Sequence, residues 1–462
     1  MINQDTICAV STAPGVGGIA VIRVSGPKAI EITDSVFKPA KAGNTLASRK
    51  GYTLTYGQIM QEEMPLDDVV VSLFRNPHSF TGEDTTEIAC HGSVYIQQQI
   101  MQLLIRKGCR TALPGEFTQR AFLNGRMDLS QAEAVADLIA SDSAATHKLA
   151  MNQMRGGFSQ ELIALRGELL NLTSLVELEL DFSEEEVEFA DRQQLRDLAD
   201  RIHNLISGLS KSFSVGNAIK NGIPVAIIGE TNAGKSTLLN VLLKEERAIV
   251  SDIHGTTRDV IEDTINIEGL TFRFIDTAGI RDTQDKIESL GIELAYRKLQ
   301  QASIVLWMID STQAIAHLEE LAAQILPKIT TQKLILVFNK IDCIDEAKHA
   351  ALTALLPETE RIFISARSSQ NTTALEKLLV KTAAVPAIGA NDVIVTNVRH
   401  YEALCRALEA IDRVRDGLQS NISGDFLSQD IRECMHYLGE ITGQINTDEI
   451  LGNIFLNFCI GK

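Results

Sequence analysis

Eight residues constrain this chain more than any others: Gly229-Glu230-Thr231-Asn232-Ala233-Gly234-Lys235-Ser236. They follow Pro224-Val225-Ala226-Ile227-Ile228, a continuous apolar run of the kind a buried parallel strand requires. The spacing is that of a phosphate loop, Gly-x4-Gly-Lys-Ser. Such a loop sits between a strand and a helix. The glycines let backbone N–H groups turn toward phosphate oxygens, and the helix opening at 237–243 adds a dipole that favours the same anion. Gly229, Asn232, Ala233, Gly234 and Thr237 form the cradle. Lys235 is expected to neutralise the β- and γ-phosphates, and Ser236 to bind Mg²⁺.

Three further motifs follow in the order a Ras-like GTPase domain needs. Asp276-Thr277-Ala278-Gly279 ends the apolar strand 272–275. Asp276 can hold Mg²⁺ through water, and the Gly279 amide can reach the γ-phosphate. Asn339-Lys340-Ile341-Asp342 follows the strand 334–338. The Asp342 carboxylate can accept hydrogen bonds from guanine N1–H and the N2 amino group. Adenine has no donors there, and charged hydrogen bonds of about 1.5–3 kcal/mol each suffice to select GTP over ATP. Ser365-Ala366 is expected to support the guanine O6 through backbone N–H. Gly255-Thr256-Thr257-Arg258-Asp259 lies between the phosphate loop and Asp276, with Ser251, Asp252, Ile253 and His254, further expected GTP contacts, just before it. It reads as a switch loop whose Thr257 reaches Mg²⁺ only with a γ-phosphate present. Many small GTPases place a water-orienting Gln directly after Asp-x-x-Gly. Here that residue is Ile280, which cannot serve. Asn232 is a candidate source of the missing charge, by holding a monovalent cation between the phosphates. The plainer reading is an Asn that stabilises the loop turn.

A length of 462 residues suits about three domains. Residues 1–124 mix strands (19–24, 68–73 and 85–90) with a helix at 94–107, a small α+β domain. Residues 125–217 are helical, read as 129–150 and 158–212, with Leu165, Leu169, Leu172, Leu175, Val176 and Leu180 at helical spacing. The acidic run 184–188 reads as a solvated helix face or loop. Strand–helix alternation fills 218–384, and 385–462 is helical again, with a stripe of Leu404, Ala407, Leu408, Ile411 and Val414. The α/β unit is therefore expected to be inserted into one discontinuous helical domain. Seven Cys without metal-ligand spacing, no secretory start and no membrane-length apolar run point to a cytoplasmic protein with no membrane attachment. A net charge of −17 argues against broad binding to a nucleic-acid backbone, so any RNA would be held by a local basic patch or a partner.

The Asn232-bearing phosphate loop, Gly255-Thr256-Thr257-Arg258-Asp259 and the terminal Cys459-Ile460-Gly461-Lys462 together resemble the MnmE (TrmE) family of tRNA-modification GTPases. So do Ala13-Pro14-Gly15-Val16-Gly17-Gly18-Ile19, Phe80-Thr81-Gly82-Glu83-Asp84 and Pro114-Gly115-Glu116-Phe117. The resemblance spans essentially the whole chain. It implies a homodimer formed through an N-terminal domain that binds 5-formyl- or 5,10-methylene-tetrahydrofolate. It also implies the flavin-dependent partner MnmG, two copies of each chain, and modification of tRNA wobble uridine at C5. K⁺ would replace an arginine finger, touching Asn232, Ser251, Ile253 and Thr256. Glu288 matches the family's catalytic Glu. For the folate, alternation puts Arg23 on a face with Ile19 and Val21, where it needs an anion. A structural ion pair is the plain reading, and the resemblance points to folate. Glu87 could accept from a pterin, with Glu83 as a rival; Arg126 and Lys462 match further contacts. Cys459 reads either as a buried inert thiol or, carried inward by a docking helix at 454–458, as a thiolate in one-carbon transfer. The competing function is a ribosome-assembly GTPase that docks on rRNA.

Overall fold

A computed structural model describes residues 5–41, 43, 45–181, 192–246, 263–275, 300–385, 393–420, 422–445, 451, 454, 455, 458 and 461. The acidic run lies outside them. The chain divides into two compact units: Met1–Ile139 with Met151–Asn204 and Ala403–Lys462, and Ala140–Ala150 with Leu205–Glu402. Among the described residues no helix is long and apolar enough to cross a membrane.

The first unit opens with seven strands: β1 (Ile7–Val10), β2 (Gly17–Ser25), β3 (Phe37–Pro39), β4 (Thr53–Gln61), β5 (Met64–Phe74), β6 (Thr85–Gly92) and β7 (Arg110–Thr111). They form one sheet in the order β3-β4-β5-β6-β2-β1-β7. All neighbours are antiparallel except β1 and β7. Alternation along β2 buries Ala20, Ile22 and Val24, and leaves Val21 and Arg23 on the opposite face. The helix Val94–Arg106 supplies Ile100, Leu103 and Leu104 to the core on the buried face.

β4 is not among the strands the sequence suggests. Its sequence, Thr-Leu-Thr-Tyr-Gly-Gln-Ile-Met-Gln, carries a mid-strand Gly57 that lowers strand propensity. The structure explains the glycine: a Cβ there would collide with the Lys38 carbonyl.

The helical stretch 129–150 is not continuous. It breaks into Leu129–Ala140 and Ala144–Met154. Ser143 causes the break: its hydroxyl accepts from the Thr146 N–H at 3.2 Å while the Thr146 hydroxyl accepts from the Ser143 N–H at 3.1 Å. That reciprocal pair restarts the helix. Gly157–Asp181 and Gly424–Thr442 pack together, burying Leu165, Leu169, Leu172 and Val176 with Ile431, Cys434 and Leu438.

The second unit contains β8 (Ile223–Ile228), β9 (Asp263–Ile267), β10 (Leu270–Phe274), β11 (Ile304–Asp310), β12 (Lys333–Asn339) and β13 (Glu360–Phe363). The order is β13-β12-β11-β8-β10-β9, and only β9 runs antiparallel. Apolar clusters cover both faces, as a parallel sheet requires. From β8 the chain first goes to one side, to β10, and later to the other, to β11. A crevice therefore opens beyond the carboxyl ends of β8 and β11, the place where such sheets bind ligands.

Candidate functional site

The phosphate loop leaves β8 at that crevice and enters the helix Lys235–Glu246. Its glycines are required by contact as well as by φ. Gly229 has φ +145°, and a Cβ there would collide with the Met308 carbonyl. Gly234 has φ +99°, and a Cβ would collide with the Asn339 amide nitrogen. The loop is thus folded back onto the ends of β11 and β12. Lys235 Nζ donates to the carbonyls of Gly229 and Glu230, each at 2.7 Å.

Asn339, the last residue of β12, ties three loops into one site. Its amide N–H donates to the Ala233 carbonyl at 2.8 Å, and its amide oxygen accepts from the Ala366 N–H at 2.9 Å. Phosphate loop, Asn-Lys-x-Asp loop and Ser-Ala loop are held around a single cavity of about 720 Å³. Asn232, Lys235, Ser236, Thr237, Asp342 and Ser365 line it. Asp342 is exposed at the mouth, and the neighbouring Ser365 hydroxyl holds its carboxyl below the usual range. It is an anion at neutral pH. Lys340, at φ +65°, turns back to pair with Asp310 at 2.6 Å.

Asn232 also takes a left-handed φ of +65°, which Asn tolerates better than most residues. Its side chain is exposed on the cavity wall. Two wall residues are not evident from the motifs. Arg367 directly follows Ser-Ala, and its only signal in the sequence is its charge. Cys343 follows Asp342 and donates its S–H to that carboxylate at 3.4 Å. Residues 251–257, 276–280, Glu288, Cys459 and Lys462 lie outside the described residues.

In the first unit Arg23 and Glu87 are cross-strand partners and pair at 2.8 Å, half-buried. The Arg23 guanidinium also lies over the rings of Phe80 and Phe117, 5.1 and 5.5 Å from their centroids. Glu83 belongs to a different set. It accepts from Ser25 at 2.8 Å and from the buried Arg120 at 3.2 Å. Arg120 also pairs with Asp5 and Glu116, and Arg110 pairs with the same two carboxylates. Burial works against the Glu116 charge, and Arg110, the Leu113 N–H and Arg120 outweigh it, leaving its carboxyl below the usual range. Arg126 is exposed and makes no ion pair among the described residues; its stem packs on Gly82, where a Cβ would meet its Cγ at 3.2 Å. The chain end docks on this unit: the Ser11 hydroxyl donates to the Gly461 carbonyl at 3.0 Å, and Phe455 packs with Leu129 and Ala132.

A strand–loop–helix phosphate cradle, joined through one Asn to the exposed carboxylate of an Asn-Lys-x-Asp loop, defines a P-loop protein of the guanine-nucleotide-binding class. Comparison with known proteins narrows this. The family model described as the GTP-binding protein TrmE N-terminus matches residues 6–126, and that described as the MnmE helical domain matches residues 129–459. A protein of Bacteroides thetaiotaomicron named tRNA modification GTPase MnmE is 66% identical over 465 residues, covering 100% of both chains. One of the same name from Flavobacterium johnsoniae is 54% identical over 467 residues, again covering 100% of both. The chain belongs to the MnmE family. The fold class expected from the sequence, a TrmE-type N-terminal α+β region and an MnmE-type helical domain with a P-loop GTPase domain, stands.

Proposed function

We propose that this chain couples GTP hydrolysis to the attachment of a carboxymethylaminomethyl or aminomethyl group to C5 of wobble uridine 34 in certain tRNAs. As a member of a family of tRNA modification GTPases, it is a GTP hydrolase that acts in tRNA processing and uses GTP and Mg²⁺. The carrying observation is Asn339, which gathers the phosphate, base and Ser-Ala loops around one cavity. The rRNA-docking alternative has no comparable support, since full-length relatives carry the tRNA-modification name.

In this reading Lys235 and the loop amides bind the phosphates, Asp342 with Asn339, Lys340, Ser365 and Ala366 binds the base, and residues 251–257 and 276–279 are GTP contacts by their motifs alone. Mg²⁺ would be held by the Ser236 hydroxyl at the helix start and, from outside the described residues, by Thr257 and, through water, by Asp276. When bound, it neutralises charge on the β- and γ-oxygens. K⁺ would be held by Asn232, Ser251, Ile253 and Thr256 as two G domains of a homodimer meet, with Glu288 ordering the attacking water indirectly. A tetrahydrofolate fits the donor set of Arg23 and Glu87: a guanidinium for its carboxylate or carbonyl, a carboxylate for its pterin amino groups. Arg126 and Lys462 would add charge, and Cys459 would supply a thiolate for one-carbon transfer. The segments 1–124, 125–217, 218–384 and 385–462 serve as folate-binding, helical, nucleotide-binding and helical parts. The protein works in the cytoplasm with MnmG, two of each.

Mass spectrometry of tRNA from a deletion strain tests the reading. Wobble 5-carboxymethylaminomethyl-type nucleosides should disappear; their persistence would overturn it. The cation is tested by the GTPase rate in K⁺ and in Na⁺. A fall in Na⁺ of arginine-finger size, about 10³–10⁵-fold, is expected, and equal rates refute it.

A further inference from the structure

The rim of the phosphate loop carries contacts that the motif does not need. Glu230, its second residue, accepts from the Gln313 side-chain amide at 2.5 Å and meets His317 Nε2 at 2.9 Å. Both partners follow β11. Gln313 sits in the turn after Asp310, and His317 in the first turn of the helix Ile315–Ile325. That turn is braced in its own right: the Gln313 N–H donates to the Asp310 carbonyl at 3.2 Å, and Lys348 Nζ donates to the Gln313 carbonyl. On the loop side, the Glu230 carbonyl accepts from Lys235 Nζ at 2.7 Å and from the Ala233 N–H at 3.3 Å. One residue is thus pinned by its side chain to a rigid turn and by its carbonyl to the phosphate-binding lysine.

A carboxylate beside an anion site costs electrostatic energy unless partners hold it. Here they do. Burial works against the Glu230 charge, and Gln313 and His317 outweigh it, so the carboxyl lies below its usual range. Asp310 also opposes the charge, but is itself paired with Lys340.

We propose that Glu230 is a positioning residue. Its clamp to Gln313 and His317 fixes the carbonyl that holds the Lys235 ammonium, and so sets the loop for a nucleoside di- or triphosphate. This rests on the reading of Lys235 as the β,γ-phosphate ligand. The clamp acts on the outer phosphates and leaves the base site alone.

The test compares Glu230→Ala, Glu230→Gln and His317→Ala in the full chain. Competition of GMP, GDP and GTP against a fluorescent guanine nucleotide is measured, with melting temperature as a control. The Gln variant keeps the clamp, since its amide can still accept from Gln313 and hydrogen-bond the His317 ring. Glu230→Ala is expected to weaken GDP and GTP about tenfold, the size of one charge-assisted hydrogen bond, and to leave GMP unchanged. His317→Ala should move the same way by less, and Glu230→Gln should stay near the parent. Parent-like GDP and GTP affinity in both Ala variants overturns the proposal, as does an equal loss of GMP, GDP and GTP. If Glu230→Ala fails to melt cooperatively, His317→Ala, outside the loop, decides by the same criteria. A parent chain that binds no guanine nucleotide overturns instead the reading of the site itself.

Discussion

The two sheets of this protein carry their candidate sites in opposite ways. In the parallel sheet of the second unit, every strand that contributes ends at the same edge. The loop after β8, Asn339 at the end of β12 and Ser365 just beyond β13 therefore converge wherever the intervening residues run. In the antiparallel sheet of the first unit, successive strand ends alternate between edges. Its charged candidates, Arg23 and Glu87, lie inside β2 and β6 and meet only because those strands pair in one register. A site at strand ends is specified by motif order, whereas a site within strands is specified by pairing.

This difference sets the sizes of three expected effects. The largest belongs to the ion network of the antiparallel unit. Arg120→Ala would take from the half-buried Glu83 its arginine and leave the buried Glu116 to Arg110 alone, and should cost about 3 kcal/mol in denaturant unfolding. A loss under about 1 kcal/mol would show the network to be dispensable. Because Glu116 is held below its usual range in the fold, the unfolded chain binds more protons as the pH falls. The stabilisation is complete above the ordinary Glu value and is lost as pH drops through the lowered one. A unit whose stability rises on acidification through that window would contradict this. Next comes Asn339→Ala, which strands the Ala233 carbonyl and the Ala366 N–H and should cost about 1–3 kcal/mol while also opening the nucleotide cavity. Loss of nucleotide affinity without loss of stability would mean that the tie is not structural. The smallest stability effect is expected at Arg23 and Glu87. A half-buried pair should contribute about 1 kcal/mol or less in a double-mutant cycle, while either Ala variant should weaken tetrahydrofolate binding at least about tenfold. Unchanged folate affinity would leave the pair as a structural bridge.

The same contrast explains what the sequence reveals. Strand–loop–helix order around Lys235 and Asp342 is readable, because a parallel sheet turns order into proximity. The separate partners of Glu83 and Glu87 are not, because they depend on strand register for Arg23 and on a helix that only folding brings up for Arg120. The break at Ser143 is hidden for a local reason: two hydroxyls exchange hydrogen bonds with two backbone N–H groups, a pattern an apolar stripe does not show. β4 is hidden because its mid-strand glycine answers to a neighbouring backbone. The Glu230 clamp joins two segments that only folding brings together.

The central claim is that Asp342 makes this enzyme specific for guanine. Hydrolysis of GTP, ATP and xanthosine triphosphate by the parent chain and by Asp342→Asn tests it most directly. Xanthine carries a carbonyl where guanine carries the N2 amino group, so a carboxylate rejects it and an amide can donate to it. The parent should prefer GTP over both rivals by about 10²-fold or more in kcat/KM, and Asp342→Asn should prefer xanthosine triphosphate over GTP. An Asn variant that keeps the parent's preference for GTP, or a parent that hydrolyses ATP as readily, would contradict the account.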